Sequence, residues 1–225
     1  CDINILGLVN LLEASRKSGV KRFLFASTAA IYGDVTHFPT PENSPADPLS
    51  FYGLSKWTEE CYLKLYQKNF GLDYVILRYS NVYGERQGDL GEGGVISIFT
   101  KKLAKNDSIT LYGDGEQTRD FIYVKDVVKV NFFFWDHPEL KGIYNCGTGH
   151  AHTFNTLAKG VLKYFGSGEL EYVPFPEVLK GKYPSFTEAD SSKLLAAGYD
   201  GGFTDIEEAI AEYCALLDKN DGYLI

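Results

Sequence analysis

Apolar residues recur at helical spacing in several long stretches of the chain. In residues 3–18 they fall at Ile5, Leu8 and Leu12, and the stretch ends at Gly19, a residue typical of helix ends. By the same criterion, further helices are predicted over about 51–69, 95–105, 125–137, 153–165 and 204–219. At the start of the last one, Thr204 followed three residues later by Glu207 predicts a capping box.

Short apolar runs between these helices have the length of strands. They are predicted over about 21–27, 73–80, 108–113, 121–124, 142–147 and 170–175. A strand, a helix and a strand joined by crossovers of this length indicate parallel pairing in a right-handed βαβ unit. The alternation of helices and strands therefore predicts an α/β fold, with a smaller α+β portion toward the C-terminus.

Charge and composition narrow the classes of function. The 225 residues carry a net charge of −8, whereas nucleic acid or an anionic membrane would require a basic patch, so neither partner is expected. No apolar run has the length of a membrane span, and no signal peptide is visible. His150 and His152 have no third ligand nearby, so no metal site is expected. The cysteines show no metal-type spacing, which predicts reduced packing thiols in a cytoplasmic protein.

Tyr52 and Lys56 stand four residues apart on the helix predicted over 51–69, so the phenol and the ammonium share one helical face. A neighbouring ammonium favours a phenolate, which suits a tyrosine to general acid–base chemistry on an alcohol. Taking a proton from an alcohol is useful when a hydride leaves the same carbon, and that requires a cofactor. An exposed pair without chemistry is the alternative. Ser27 and Thr28 end the preceding strand, where open α/β sheets bind ligands, and this favours a site.

Four ordered motifs, "STAAIYG", "YGLSK", "LRYSNVYG" and "GDGEQTRDFIYVKDV", extend the pattern along the chain. They resemble the extended short-chain dehydrogenase/reductase family, in its nucleotide-sugar epimerase/dehydratase branch. The resemblance implies a Rossmann-type doubly wound parallel sheet that binds NAD, with NADP as the alternative, and a smaller α+β cap that holds a nucleoside-diphosphate sugar. It implies that 1–83 form the C-terminal portion of the NAD(P)-binding Rossmann domain and that 84–225 form the cap, with about 120–147 returning to the Rossmann sheet. It also implies a homo-oligomer, with a dimer through the helices at 3–18 and 51–69 favoured.

The same resemblance implies roles for individual residues. Tyr52 matches the family's acid/base, Lys56 its partner and ribose ligand, and Thr28 the residue that hydrogen-bonds the reacting hydroxyl. The cofactor contacts implied are Asn4, Ser27, Tyr52, Lys56, Tyr79 and Val82. The substrate contacts implied are Asn81, Tyr112, Gly113, Asp114, Gly115, Arg119 and Tyr183. Arg119 would bind the diphosphate, for which a guanidinium is well shaped, and a surface pair with Asp120 is the alternative.

Within this branch the chain is similar to two groups of enzymes. "GEGGVISIF" and "YGDGEQTRDFIYV" are similar to UDP-hexose 4-epimerases, whereas the tail "YVPFPEVLKGKYPSFTEADSSKLLAAGYD" is similar to ADP-glycero-manno-heptose 6-epimerases. The second catalytic lysine of the heptose enzymes has no match, because Leu90 or a neighbour stands there. Dehydratases carry an acidic pair where this chain has Ala29 and Ala30. We therefore predict UDP-glucose/UDP-galactose 4-epimerisation by transient oxidation, with the heptose 6-epimerase as the alternative.

The phosphate-binding loop of this family, G-x-x-G-x-x-G after the first strand, is absent from the sequence. The glycines of 84–94 do not replace it, because they follow the wrong strand. The chain also contains no methionine and opens as if within a helix, so we expect the loop to lie upstream of Cys1. Tight binding of NAD by these 225 residues alone is not expected. A truncated fragment that catalyses nothing is thus the competing hypothesis.

Overall fold

The structure is a computed structural model, and it describes residues 2–87, 94–105, 107–177 and 186–219. The helices, in chain order, are the π-helical turn Asp2–Leu6, α1 Gly7–Lys17, the 3-10 turn Ala29–Ile31, α2 Phe51–Phe70, α3 Val95–Ala104, α4 Val124–Asp136, α5 Phe154–Phe165, α6 Ser192–Ala196 and α7 Ile206–Lys219. The strands are β1 Arg22–Thr28, β2 Asp73–Tyr79, β3 Asn81–Tyr83, β4 Ile109–Tyr112, β5 Thr118–Tyr123, β6 Gly142–Cys146, β7 Ala151–Thr153 and β8 Leu170–Val173. Two compact units result, the first formed by Cys1–Ser80, Lys129–Gly149 and Glu188–Asp200 and the second by Asn81–Val128, His150–Thr187 and Gly201–Ile225.

The first unit is built on a parallel sheet with the strand order β1-β2-β6. Helix α2 connects β1 to β2, which pair from Arg22 and Asp73 to Thr28 and Tyr79. The register of the sheet brings the carboxyl ends of its strands side by side at Thr28, Tyr79 and Cys146. The predicted α/β fold, with its parallel βαβ unit, is confirmed.

The helices α1 and α2 pack on this sheet through their leucines. Leu8 and Leu12 of α1 and Leu63 of α2 form one apolar cluster with Phe25 of β1 and Ile76 of β2. Burying a side chain of this kind contributes about 1.5–3 kcal/mol, so the cluster strongly favours this packing. The first predicted helix is confirmed, although its first turn has π geometry. Within the described ranges, none of the helices combines the length and the apolar character needed to cross a membrane.

The second unit combines a small mixed sheet with a separate pair of strands. In the mixed sheet, β5 pairs in parallel with β3 and antiparallel with β7, while β4 and β8 form a parallel pair. The helices α3, α5 and α7 contribute Phe99, Leu157 and Tyr213 to a common core. Cys214 belongs to this core, and burial raises the pKa of its thiol to about 11. The packing role predicted for that cysteine is confirmed.

Three short elements lack a periodic signal in the sequence. Residues 73–80 were predicted as one strand, but β2 ends at Tyr79 and Asn81–Tyr83 forms β3, which pairs with β5. The other two are β7, with three residues, and α6, with five. Elements this short contain too few positions for a hydrophobic period to be visible.

The capping box predicted at the last helix is wrong. Helix α7 begins at Ile206, and the Asp205 carboxylate accepts hydrogen bonds from the backbone N–H groups of Glu207 at 2.8 Å and Glu208 at 3.4 Å. Thr204 instead donates from its backbone N and its Oγ1 to the Asp126 carboxylate, at 2.7 and 3.0 Å. Aspartate caps a helix as well as threonine does, and here it stands one residue closer to the first turn.

Replacing Asp205 with alanine is expected to lower the free energy of unfolding by about 1 kcal/mol, because two N–H groups of the first turn lose their acceptor. Urea denaturation followed by circular dichroism measures the change. Asp218→Ala, at the far end of the same helix, is the control and is expected to be neutral or slightly stabilising, since a carboxylate near a helix C-terminus opposes the dipole. An equal loss in both variants would contradict the capping role.

Candidate active site

The first turn of α2 is held against the segment that follows β1. The Ser50 hydroxyl caps the helix by accepting a hydrogen bond from the Gly53 N–H at 3.0 Å. A Cβ at Gly53 would lie 2.7 Å from the carbonyl oxygen of Ala30, so the approach requires glycine. Tyr52, the second residue of the helix, is 52% exposed. The tyrosine predicted to be the acid/base therefore has an accessible side chain at this helix start.

Thr28 lies at the carboxyl end of β1. Its Oγ1 accepts a hydrogen bond from the Ala30 N–H at 3.1 Å and caps the 3-10 turn. A hydroxyl that accepts one hydrogen bond still carries its own proton for donation. The strand register pairs Thr28 with Tyr79 at the end of β2. The threonine predicted to bind the reacting hydroxyl thus stands at the sheet edge where open α/β sheets bind ligands.

The ammonium of Lys56 is held by groups of β1 and α2. Its Nζ donates to the carbonyl oxygen of Ala26 at 3.1 Å and lies 3.2 Å from Oε2 of Glu59. It also lies 4.6 Å from the centre of the Phe25 ring, whose face attracts a cation. Lys56 is therefore anchored beside the strand that ends in Thr28, one helical turn beyond Tyr52.

The other residues predicted to contact cofactor in the first unit all have protein partners. The Asn4 amide donates to Ser55 Oγ at 2.9 Å and so links the π-helical turn to α2. The Ser27 hydroxyl donates to a carboxylate oxygen of Glu60 at 2.6 Å. Tyr79 accepts a hydrogen bond from Asn131 at 2.9 Å, and burial raises the pKa of Tyr79 to about 12. That phenol consequently stays protonated at neutral pH.

A buried ion pair that the sequence analysis missed joins α2 to β2. Arg78 donates to both carboxylate oxygens of Glu60, at 3.0 and 2.8 Å, and both side chains are almost fully buried. A second branch of the guanidinium donates to the Tyr32 hydroxyl and to the Glu42 carbonyl, each at 2.9 Å. Ser27, next to Thr28, hydrogen-bonds the same carboxylate. The pair thus connects the helix that carries Tyr52 to the ends of two strands.

The network continues into β6 through a single asparagine. The Tyr32 hydroxyl donates to Asn145 Oδ1 at 2.7 Å, and the Asn145 amide donates to the carbonyls of Thr40 and Asp190. Burial raises the pKa of Tyr32 to about 12. A signal for this network was present in the sequence: an arginine within the apolar run "DYVILRYS" must find a buried partner.

Most residues predicted to bind substrate lie in the second unit. Asn81 belongs to β3 together with Val82, a predicted cofactor contact whose carbonyl oxygen accepts a hydrogen bond from Gln87 at 3.1 Å. Arg119, on β5, is 4% exposed and lies over the ring of Phe154 at 5.9 Å. Its burial does not fit the surface-pair alternative.

The turn from Tyr112 to Gly115 is anchored from outside by Asn155. The amide of Asn155 donates to the Asp114 carbonyl at 2.9 Å, and its Oδ1 accepts from the Tyr172 hydroxyl at 2.9 Å. Gly115 has φ +73°, and a Cβ there would lie 2.5 Å from the Asn155 side chain. The Gly113 N–H donates to the Val173 carbonyl at 2.8 Å, and Tyr112 is about half exposed. The turn is therefore fixed by contacts within its own unit.

The predicted site residues are divided between the two units. The first unit holds Asn4, Ser27, Thr28, Tyr52, Lys56 and Tyr79. The second holds Asn81, Val82, Tyr112, Gly113, Asp114, Gly115 and Arg119. Tyr183 and Leu90 lie outside the described residues. Across the parts of the chain that the structure describes, no group of three or more His, Cys, Asp or Glu side chains could hold a metal ion.

The groups of the first unit have complementary chemical capacities. Tyr52 offers an accessible phenol that can carry a proton to or from an alcohol, and Thr28 offers a hydroxyl donor at the sheet edge. Lys56 supplies a fixed positive charge on the same helix. The arrangement can therefore perform acid–base chemistry on a hydroxyl group.

Known proteins resemble this chain closely. ADP-L-glycero-D-manno-heptose-6-epimerase of Alkalilimnicola ehrlichii is 46% identical over 198 residues, which cover 85% of this chain and 62% of that protein. The crystal structure of Thermotoga maritima UDP-glucose 4-epimerase with UDP-glucose has a TM-score of 0.87 at 38% identity, covering 97% of this chain and 70% of that one. The complex of the Thermus thermophilus UDP-glucose 4-epimerase with NAD has a TM-score of 0.84 at 36% identity, covering 95% and 69%.

These relatives extend beyond the chain. It spans 62% of the length of the heptose epimerase, while both solved 4-epimerases are covered to about 70%. Residues 1–147 match the sequence profile described as the NAD dependent epimerase/dehydratase family. That match covers more than half of the chain, and the solved 4-epimerases agree with it in fold. The chain belongs to the NAD dependent epimerase/dehydratase family.

Proposed function

We propose that the full-length gene product epimerises a nucleotide sugar by transient oxidation to a ketone and re-reduction, with a UDP-hexose as substrate and C4 as the reacting carbon. One observation carries the proposal. Gly53, next to Tyr52, packs against the carbonyl of Ala30, whose N–H is held by Thr28, and Lys56 donates to the Ala26 carbonyl of β1. A phenol, a hydroxyl and an ammonium can together serve the proton transfer of a reversible alcohol oxidation, in which NAD would accept the hydride.

Residues of the first unit fit one part of a bound NAD. The Lys56 ammonium has three N–H donors, of which the Ala26 carbonyl takes one. The Tyr52 oxygen and the Asn4 amide are further hydrogen-bonding groups on or against the first turns of α2. Such groups suit the hydroxyl groups of a ribose, so Lys56, Tyr52 and Asn4 would hold that portion of the cofactor. When bound, NAD supplies the acceptor and later the donor of a hydride.

Each residue then has a definite task. Tyr52, as phenolate, takes the proton of the sugar hydroxyl while the carbon–hydrogen bond of the same carbon gives up a hydride. Thr28 donates a hydrogen bond to that oxygen and orients it, and Lys56 stabilises the negative charge on the phenol oxygen. After the ketone presents its other face, Tyr52 returns the proton and the inverted alcohol forms. Oxidation and reduction cancel, so no cofactor is consumed.

The second unit would hold the nucleotide sugar. We assign the diphosphate to Arg119, since a guanidinium matches a phosphate in a bidentate way. The anchored turn Tyr112–Gly115, Asn81 and Tyr183 are assigned to the nucleotide and the sugar. The preference for a UDP-hexose is supported by the similarity to the Thermotoga maritima enzyme that was crystallised with UDP-glucose. The 46% identity to a heptose 6-epimerase supports a second candidate, an ADP-glycero-manno-heptose.

Incubation of the full-length gene product with UDP-galactose tests the proposal. UDP-glucose is expected to accumulate to equilibrium without net formation of NADH, as followed by nuclear magnetic resonance. The reverse reaction from UDP-glucose should reach the same ratio. Interconversion of the C6 epimers of ADP-glycero-manno-heptose, with no change in either UDP-hexose, would replace the first candidate with the second. Absence of both conversions in a folded protein that binds NAD would overturn the epimerase assignment.

A further inference from the structure

The Lys56 ammonium is held by three neighbouring groups. The Ala26 carbonyl accepts from it at 3.1 Å, and the Phe25 ring lies under it at 4.6 Å. The third neighbour is the carboxylate of Glu59, three residues further along α2, at 3.2 Å from Nζ to Oε2. The lysine is therefore held by a carbonyl oxygen, an aromatic face and one full negative charge.

Glu59 is unusual because it is a buried carboxylate. Its side chain is 4% exposed, and among the described residues its Oε2 has no hydrogen bond of good geometry. The contact with Lys56 is thus an ion pair by distance, without the alignment of a hydrogen bond. A buried carboxylate is costly unless a cation compensates it, so the pair depends on both members. Because burial weakens the screening of charges by solvent and salt, a change in the charge of Glu59 changes the electrostatic energy of the Lys56 ammonium strongly.

The other charged groups on α2 and on the elements packed against it are engaged with partners of their own or exposed. Glu60 of α2 binds Arg78 of β2, and Asp73 of β2 pairs with Lys141. Glu13 of α1 pairs with Arg16 and Lys17, while Arg22 of β1 donates to backbone carbonyls near the end of α4. The ammonium of Lys64, on α2, lies over the ring of Trp57. Asp2 of the π-helical turn and Lys68 in the last turn of α2 are exposed. Glu59 is consequently the carboxylate that offsets the charge of Lys56.

We propose that Glu59 is a positioning residue for the reaction: it holds the Lys56 ammonium and offsets part of its charge, and so limits how strongly Lys56 stabilises negative charge on the Tyr52 oxygen. The inference rests on the proposed function, because it gives Tyr52 and Lys56 their acid–base roles. A bare ammonium would favour the phenolate more strongly than a compensated one. By offsetting part of the Lys56 charge, Glu59 therefore limits the stabilisation of the phenolate, so that Tyr52 can return the proton as well as take it.

Replacing Glu59 with glutamine tests this in the full-length gene product. The side chain keeps its shape and loses its charge, while Ala26 and Phe25 still hold the ammonium. The acid limb of the pH profile of kcat/KM is expected to move to lower pH by about half to one unit. The near-ultraviolet phenolate absorbance of the protein without substrate, minus that of the same protein carrying Tyr52→Phe, is expected to show the same displacement. Glu59→Asp, which keeps the charge, should restore the unmodified midpoint.

A matched control separates local from general electrostatics. Glu13→Gln removes the same charge from a more exposed pair on α1 and is expected to leave both midpoints unchanged. A limb that stays in place in Glu59→Gln, or that moves to higher pH, would overturn the proposal. Failure of the proposed function is recognised separately, because the unmodified protein would then convert neither nucleotide sugar, whereas loss of only the acid–base role of Tyr52 would leave Tyr52→Phe with its turnover. If that variant is inactive while Glu59→Gln leaves the midpoint unmoved, only the role of Glu59 is lost.

Discussion

Tyr52→Phe is expected to lower the turnover number of the full-length gene product with UDP-galactose by about 10²- to 10⁴-fold, the usual contribution of a positioned acid–base group. Phenylalanine keeps the ring and removes the only atom that can carry the proton. The side chain is half exposed, so the loss of its hydroxyl leaves no buried polar group unsatisfied. The fold and the affinity for the nucleotide sugar should therefore be preserved.

Initial rates by nuclear magnetic resonance, together with a circular dichroism spectrum, measure this effect. Tyr62→Phe is the matched control. This tyrosine lies on the same helix and packs against the apolar cluster between the helices α1 and α2 and the parallel sheet. It is expected to retain the turnover of the unmodified enzyme. Undiminished turnover in Tyr52→Phe, with the control behaving normally, would remove the acid/base assignment.

Arg78→Met is expected to lower the free energy of unfolding by about 3 to 5 kcal/mol, because it leaves the Glu60 carboxylate buried without its cation. The substitution also removes a donor from the Tyr32 hydroxyl and from the Glu42 carbonyl. Ser27 donates a hydrogen bond to the same Glu60 carboxylate. The loss of stability should therefore extend to the end of β1, beside Thr28. Urea denaturation followed by circular dichroism measures the change.

Two further variants distinguish a buried charge from lost packing. Arg78→Met combined with Glu60→Leu should recover much of the stability, since an apolar pair does not leave a buried ion uncompensated. Lys141→Met, which breaks the half-exposed pair with Asp73, should cost no more than about 1 kcal/mol. Similar losses in Arg78→Met and Lys141→Met would contradict a special role for the buried pair.

The long elements could be predicted from the sequence because each contains several hydrophobic periods. The helix over 51–69 is present as α2, and the parallel pairing around it follows from the length of the crossover. The short strand β3 and the Asp205 cap could not be predicted with the same certainty, because neighbouring residues with equal propensity compete for those places.

The residues of the candidate site divide in the same way. Tyr52, Thr28 and Lys56 are recognisable from a motif, since their types and spacing carry the chemistry. Glu59 gives no such signal, because a glutamate three residues after a lysine is common on exposed helices. Its significance comes from burial, which only the packing of α2 on β1 produces.

The first unit is assembled from three separate stretches of chain, and this has a consequence for biosynthesis. Residues 188–200 close the unit: Thr40 exchanges backbone hydrogen bonds with Glu188 and Asp190, and Ser191 donates to the Gly147 carbonyl. A ribosome exposes residues in order. The strands of the parallel sheet therefore emerge well before residues 188–200, the segment that completes the polar network of the unit. The contacts of residues 188–200 with the rest of the unit can therefore form only after the whole of 150–187 has been translated.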